Sequence, residues 1–301
     1  MRITVIGESN IDICVQRQGP ESGKGCSPAS IRFFHGGVAR NIAHNLKLLG
    51  HEVQLATVFG DDNFAEQMMA ECDELGIDLS LSAQYENARS PIFMSFNDEV
   101  GNMQSALSDI ELNGYLDLDW LRDRIDAINR SDLVVADTLL SAEALTFLID
   151  HCLVPLYIDA VSPNRALLLN EALRNSWKKS FQTLKCNLAE AQAMTGVVEI
   201  EEATKLLVSK GIKEIYLTLG EDGVCYGDKK ETRRFPAIEV EATNVMGSGD
   251  AFFAGVVHGN AFGITGDKAV SYGLKCACHN AKCEAPVNPT LRISLLTTTN
   301  Y

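Results

Sequence analysis

Asn244-Val245-Met246-Gly247-Ser248-Gly249-Asp250, followed without a break by Ala251-Phe252-Phe253-Ala254-Gly255-Val256-Val257, is the stretch on which the reading of this chain turns. Two glycines and an aspartate stand at the mouth of an apolar helix. The first turn of a helix presents N–H groups without carbonyl partners and the positive end of the helix dipole, so it suits an anion, above all a phosphate. A carboxylate beside such a site repels the ligand unless it has a task, and for Asp250 that task is accepting a proton. A turn closed by a helix-capping residue accounts for the same four residues, and this stretch by itself leaves both readings open.

Outward from it, short apolar runs recur as buried strands: Arg2 to Ile6, Val53 to Val58, Leu133 to Ala136, Leu156 to Ile158 and Ile215 to Leu219. Between them lie helical stripes. Val38, Ile42, Leu46 and Leu49 fall on one face and stop at Gly50, while Phe64, Met68 and Leu75 mark another that stops at Gly76. Strand and helix in alternation predict an α/β fold, a mainly parallel sheet covered on both faces, with ligands gathered at the carboxyl ends of the strands. Residues from about 13–34 and 89–107 break this alternation. They carry turn formers and short alternating patterns such as Ile92-Phe93-Met94-Ser95-Phe96, which predict a small added sheet able to act as a lid on a single domain spanning 1–301. The apolar residues of that pattern either need covering by a second copy or pack on the protein's own core.

The formal charge of −14, from 40 acidic and 26 basic residues, argues against nucleic acid or an anionic membrane as partner and favours a small ligand. No apolar run reaches the roughly 18 residues a membrane span needs, and the opening residues lack a signal-peptide pattern, so a cytoplasmic protein is expected. Nine scattered cysteines fit reduced thiols. Cys276, His279 and Cys283 share one helix face, which fits half-buried core residues better than a metal site lacking a fourth ligand.

Familiar phosphate motifs fail. Gly19-Pro20-Glu21-Ser22-Gly23-Lys24-Gly25 has three residues between glycines where a P-loop has four, and no Ser or Thr follows the lysine. A dinucleotide fingerprint starting at Gly247 would need Gly or Ala where Phe252 stands, and neither a protein-kinase catalytic loop nor a nucleophile elbow occurs. What remains is a constellation. Asn10-Ile11-Asp12 follows the first strand, and Gly36-Gly37-Val38-Ala39-Arg40-Asn41 opens a helix; Asp12 and Asn41 suit sugar hydroxyls, although an Asx turn and a tight glycine turn explain the same residues. Asn187-Leu188-Ala189-Glu190 begins another helix, with Glu190 placed for Mg²⁺ or its water shell or for a capping box.

Gly36-Gly37 through Asn41, Asn187-x-x-Glu190, Thr218-Leu219-Gly220 with Gly223, and Gly247-Ser248-Gly249-Asp250 stand in the order and spacing of the ribokinase-like (PfkB) carbohydrate kinases, which the chain resembles over nearly its whole length. The resemblance implies a three-layer α/β/α domain with a small β-sheet lid, and transfer of the ATP γ-phosphoryl group to a hydroxymethyl of a sugar or nucleoside. It implies Asp250 as base and the N–H groups of Gly247, Ser248 and Gly249 as anion hole. Asn10, Asp12, Gly36, Gly37 and Asn41 would hold the acceptor, Asn187, Thr218, Gly220, Gly223 and Asn280 the nucleotide, and Glu190 the Mg²⁺ through water. Longer strings, among them Val134-Val135-Ala136-Asp137 and Ile158-Asp159-Ala160-Val161-Ser162, are similar to members that phosphorylate the 5'-hydroxyl of a C-glycosidic nucleoside. Family habit adds a homodimer through the lid. Two residues depart from the pattern: Met246 stands where Thr is usual and Ser248 where Ala is usual, which leaves activation by K⁺ open.

Overall fold

The computed structural model describes residues 1–19, 26–99 and 103–297. Residues 20–25, most of the stretch compared with a P-loop, and 100–102, inside the expected lid, lie outside the described residues. Eight strands form the main sheet in the order Thr232–Phe235, Val224–Asp228, Ile212–Thr218, Phe181–Asn187, Leu156–Asp159, Leu133–Asp137, Arg2–Ile6, Glu52–Ala56. The last six run parallel and the first two pair antiparallel at one edge.

Alternate residues of each strand enter different cores, as the pleat requires. Ile3, Val5, Val53, Leu55 and Val135 pack with Ile42, Leu46 and Phe252 from the helices Val38–Leu48 and Ser248–Ala261 on one face. Ile6, Val134, Ile158 and Leu184 pack with Leu145, Leu169 and Leu207 from the helices Ala142–His151, Pro163–Asn175 and Ile200–Ser209 on the other. The result is the three-layer α/β/α arrangement. The run after Asp250 is buried all round because a second helix, Asp267–Asn280, covers its outer side. Gly255 makes that close approach feasible, since a Cβ there would lie 2.7 Å from the Tyr272 carbonyl oxygen.

Both helix ends marked by glycine fall where the stripes stop: Gly50 has φ +82°, and Gly76, at φ +68°, caps Asn63–Leu75 in the left-handed conformation. One predicted strand is divided. The run from Val53 ends at Ala56, because the Thr57 N–H donates to Ser82 Oγ at 3.2 Å and its carbonyl accepts from Ala83 N at 3.0 Å; Val58–Phe59 then pairs with Ala83–Gln84.

A second sheet of four strands has the order Ala29–Gly36, Asn10–Arg17, Ile92–Asn97, Met103–Asp109. Its root is tied to the main body by Asp62, which caps its helix by accepting from Ala65 N at 2.9 Å and also accepts from Ser90 N and Oγ, both at 2.7 Å. The register sets Ile13, Val15, Ile31, Phe33, Met94, Phe96 and Leu107 on one face. Ile92 and Met94 pack toward the core cluster of Ile11, Phe59 and Met68, while Ile31, Phe33, Phe96 and Leu107 stay exposed. The apolar alternation around residues 92–96 therefore divides: part serves the protein's own core, and the uncovered area comes largely from the neighbouring strands.

Candidate active site

Gly247 occupies the helix N-cap position at φ +71°, and a Cβ there would sit 1.9 Å from the Pro286 carbonyl oxygen, so both conformation and space demand glycine. The loop before it is pinned by amides. Met246 N donates to Asn244 Oδ1 at 3.0 Å, and the Met246 carbonyl accepts from Asn280 Nδ2 at 3.0 Å. These two bonds order the loop where a threonine hydroxyl is usual. The Ser248 N–H donates to the Val245 carbonyl at 3.1 Å, whereas Gly249 lies in the first turn, whose N–H groups have no carbonyl partner within the helix. The Ser248 hydroxyl is buried without a partner.

Asp250 follows at once, and Asn41 Nδ2 donates to its Oδ2 at 2.9 Å across 209 residues of sequence. Burial pushes the Asp250 carboxyl up to about 7, against the pull of the Lys185 ammonium; Asp159 pushes the same way as burial, and the Asn41 bond opposes it. On the strand after Gly7, Asn10 Nδ2 donates to Asp12 Oδ1 at 3.1 Å. Asp12 is likewise raised by burial, to about 6, with the Asn10 bond and the Arg40 charge opposing. A Cβ on Gly36 would meet Asp12 Oδ2 at 2.1 Å, and one on Gly37, at φ +96°, the Glu8 carbonyl oxygen at 2.4 Å. The paired glycines thus bring strand, helix start and carboxylates together. Hydrogen bonds and close approaches thus gather Asn10, Asp12, Gly36, Gly37, Asn41 and Asp250 into one neighbourhood.

The expected nucleotide residues stand at the ends of neighbouring strands and on two helices. Asn187 and Glu190 form a reciprocal capping box. Asn187 N and Nδ2 each donate to a Glu190 carboxylate oxygen at 2.7 Å, and Glu190 N donates to Asn187 Oδ1 at 2.9 Å. Both oxygens of Glu190 thus have chain partners. Thr218 Oγ1 donates to the Cys186 carbonyl at 3.3 Å, Gly220 at φ +63° opens a 3₁₀ turn, and Gly223, at φ +95°, closes it under the Phe235 carbonyl. Asn280 Nδ2 holds Met246 and its Oδ1 accepts from Asn288 N at 2.9 Å, so both ends of the amide brace the loop before Gly247.

Sequence reading missed Lys185. Its Nζ lies 2.9 Å from Asp159 Oδ2, both side chains are buried, and a Cβ on Gly249 would sit 3.1 Å from that nitrogen. Burial alone would push the ammonium down, but the Asp159, Glu190 and Asp250 carboxylates outweigh it and hold Lys185 above its ordinary range. A cation thus stands beside the first turn of the helix Ser248–Ala261. Its signal in the sequence is a lysine inside the apolar strand Phe181–Asn187, and that of Asp137 and Asp159 is a terminal aspartate on each of two apolar strands. Two residues past Asp159, Val161 adopts φ +62°, a left-handed conformation costing a β-branched residue about 1–3 kcal/mol. Asp137 Oδ2 accepts from Glu8 N at 2.8 Å, and Asn113 Nδ2 donates to Glu8 Oε1 at 2.7 Å; burial raises both carboxyls to about 7.

Elsewhere, His279 Nε2 bonds Thr290 Oγ1 at 2.9 Å and Cys276 packs in a small core with Leu49 and Leu291. No group of three or more His, Cys, Asp or Glu side chains among the described residues is placed to hold a metal ion. All nine cysteines are free thiols, and no helix among the described residues is long and apolar enough to cross a membrane.

A doubly covered parallel sheet and a glycine-capped helix start with a buried carboxylate in its first turn are the setting in which the family relationship stands. The pfkB family carbohydrate kinase signature matches residues 1–292, and the chain belongs to that family as a sugar or nucleoside kinase. It is 29% identical to the pseudouridine kinase of Escherichia coli (strain K12), over 97% of this chain and 94% of that one, and 25% identical to the guanosine-inosine kinase of Exiguobacterium acetylicum, over 92% and 93%. Among solved structures, the Thermotoga maritima ribokinase superposes with a TM-score of 0.84 at 19% identity, covering 98% of this chain and 97% of that one.

Proposed function

We propose that this chain transfers the γ-phosphoryl group of ATP to the 5'-hydroxyl of a nucleoside, pseudouridine. The observation that carries the reading is Asp250: a buried carboxyl, raised to about 7, aligned by Asn41 beside the anion turn and facing the Lys185 charge. Asp250 accepts the hydroxyl proton as the oxygen attacks phosphorus, and a base whose pKa lies near the working pH suits that task. The Gly247 and Gly249 N–H groups with the Lys185 ammonium meet the charge on the transferring phosphoryl oxygens, the Ser248 N–H joining them if its turn to Val245 opens. Asp12 and Asn10 accept from and donate to the sugar hydroxyls, and Gly36-Gly37 allow the sugar to approach the backbone.

Thr218, Gly220 and Gly223 line the nucleotide end, and Asn187 fixes it through its capping box. Mg²⁺ bound with ATP would neutralise phosphate charge, and Glu190, with both oxygens held by Asn187, would serve it through water.

Similarity to a pseudouridine kinase supports the acceptor, and similarity to a guanosine-inosine kinase supports a second reading with another nucleoside or a free sugar. Turnover of pseudouridine, uridine, inosine, adenosine, ribose and fructose with ATP and Mg²⁺ separates the two. Higher kcat/KM on any of the other five than on pseudouridine defeats the first. The exposed face of Ile31, Phe33, Phe96 and Leu107 suits a homodimer through the second sheet, with the protein acting in the cytoplasm; light scattering that gives a monomer defeats the dimer.

A further inference from the structure

The Asn41 amide that aligns Asp250 has two unlike ends. Its Nδ2 donates to Asp250 Oδ2 at 2.9 Å, and its Oδ1 accepts from Arg40 Nη1 at 3.3 Å. A guanidinium only donates and a carboxylate only accepts, so one orientation of the amide satisfies both neighbours. Turned over, the amide would set N–H against N–H at Arg40 and oxygen against oxygen at Asp250.

Contact between Arg40 and Asn41 is not a product of their helix, because adjacent residues on Val38–Leu48 do not face each other. It is imposed from outside. Arg40 Nη1 also donates to the His35 carbonyl at 2.8 Å, and its Nη2 meets the Glu71 carboxylate, which takes His35 Nδ1 as well. His35 belongs to the strand Ala29–Gly36 of the second sheet and Glu71 to the helix Asn63–Leu75, so two other elements hold the guanidinium. Against the lift of burial, the His35 bond and the Arg40 charge keep the Glu71 carboxyl down at about 2, so the clamp is charged at neutral pH. Arg40 itself is buried, and its planar fork serves Glu71, His35 and Asn41 at once, which the point charge of a lysine would not.

We propose that Arg40 is a positioning residue that fixes the Asn41 amide with its nitrogen toward Asp250, so that the hydrogen bond serves the carboxylate, the form able to take a proton. This role rests on the reading of Asp250 as the base of phosphoryl transfer and needs no contact between Arg40 and either substrate. Without Arg40 the amide can turn its oxygen to a protonated Asp250, and the acid form gains the bond that the guanidinium denies it.

Replacing Arg40 by Met and Glu71 by Gln together keeps the net charge and leaves no carboxylate there without its partner. The other charged side chains facing Asp250, on Lys185, Asp159 and Asp12, are untouched. The Asp250 carboxyl is followed by NMR in the aspartate-labelled full chain, its signal assigned by its loss in Asp250→Asn, so the readout needs neither substrate nor turnover. Its titration midpoint should rise from about 7 by up to about one pH unit, the effect of one net hydrogen bond. In an Asn41→Leu background the same pair of substitutions should move it no further, because the amide is gone. An unchanged midpoint overturns the proposal. So does an equal rise with and without Asn41, which would mean that the Arg40 charge, which also reaches Asp12, acts through space. Arg40→Lys keeps the charge beside Glu71 but loses the fork, and if the double variant does not fold, the same rise and the same dependence on Asn41 are expected of it. With saturating ATP and acceptor, kcat of the double variant should fall about fivefold at about pH 7 and recover near about pH 9 as Asp250 ionises, which a merely loosened fold would not do. A midpoint that moves while kcat stays level keeps the amide lock and sinks the reading of Asp250 as base, so the two failures are told apart.

Discussion

Replacing Asp250 by Asn separates the two readings that the stretch around Gly247 first left open. The Asn side chain keeps an oxygen for the Asn41 Nδ2 donor, so local shape survives while the proton acceptor and the charge are lost. In the folded protein burial raises the Asp250 carboxyl from 3.8 to about 7, so the folded state binds its proton more tightly than the unfolded chain. Below pH 3.8 both states are protonated and the group costs nothing; between there and about 7 the cost accrues, and above that it is complete. A difference of about three pH units corresponds to about 4 kcal/mol. The asparagine variant should therefore be more stable than wild type by up to about 4 kcal/mol at pH 8 and by only about 1.5 kcal/mol at pH 5, read from urea unfolding at both pH values. Over the same change kcat should fall by roughly 10²–10⁴. A stabilisation equal at the two pH values would show that Asp250 is not a buried, proton-holding carboxyl. Full turnover would reduce it to a helix cap and return the chain to a binder without chemistry.

Lys185→Met leaves Asp159 buried without its ion pair, so unfolding free energy should drop by about 3–5 kcal/mol, and kcat should fall because phosphoryl charge loses a cation. Asp159→Asn combined with Lys185→Met should recover much of the stability and none of the rate, as thermal melts and initial rates would report. Gly247→Ala forces a Cβ against the Pro286 carbonyl in a left-handed conformation; kcat should fall with little change in nucleotide KM, and an unaffected kcat would contradict the anion turn. His51 and His258, bonded at 2.9 Å, are both held down by burial, His51 to about 4 with the His258 charge assisting. The unfolded chain takes up protons first, so the stability they allow is complete above about 6.5 and is lost as pH falls toward 4, a trend that His51→Phe should flatten in pH-dependent melts.

Periodicity and glycine placement in the sequence by themselves determined the parallel sheet, the two helix ends at Gly50 and Gly76, and the glycine-flanked helix start before Asp250, because each depends on neighbours within a few residues. That Asn10, Asp12, Asn41 and Asp250 lie near the start of a strand or helix was legible for the same reason. The alignment of Asn41 on Asp250, the pairing of Lys185 with Asp159, and the lift of Asp250 to about 7 were decided only by tertiary structure. These depend on which strands become neighbours and how much water the packed layers exclude, and a lysine in an apolar strand does not say which carboxylate it will meet. Asn280 marks the limit from the other side. Its place near the loop was readable, but only the packed chain could show that both ends of its amide are held by Met246 and Asn288.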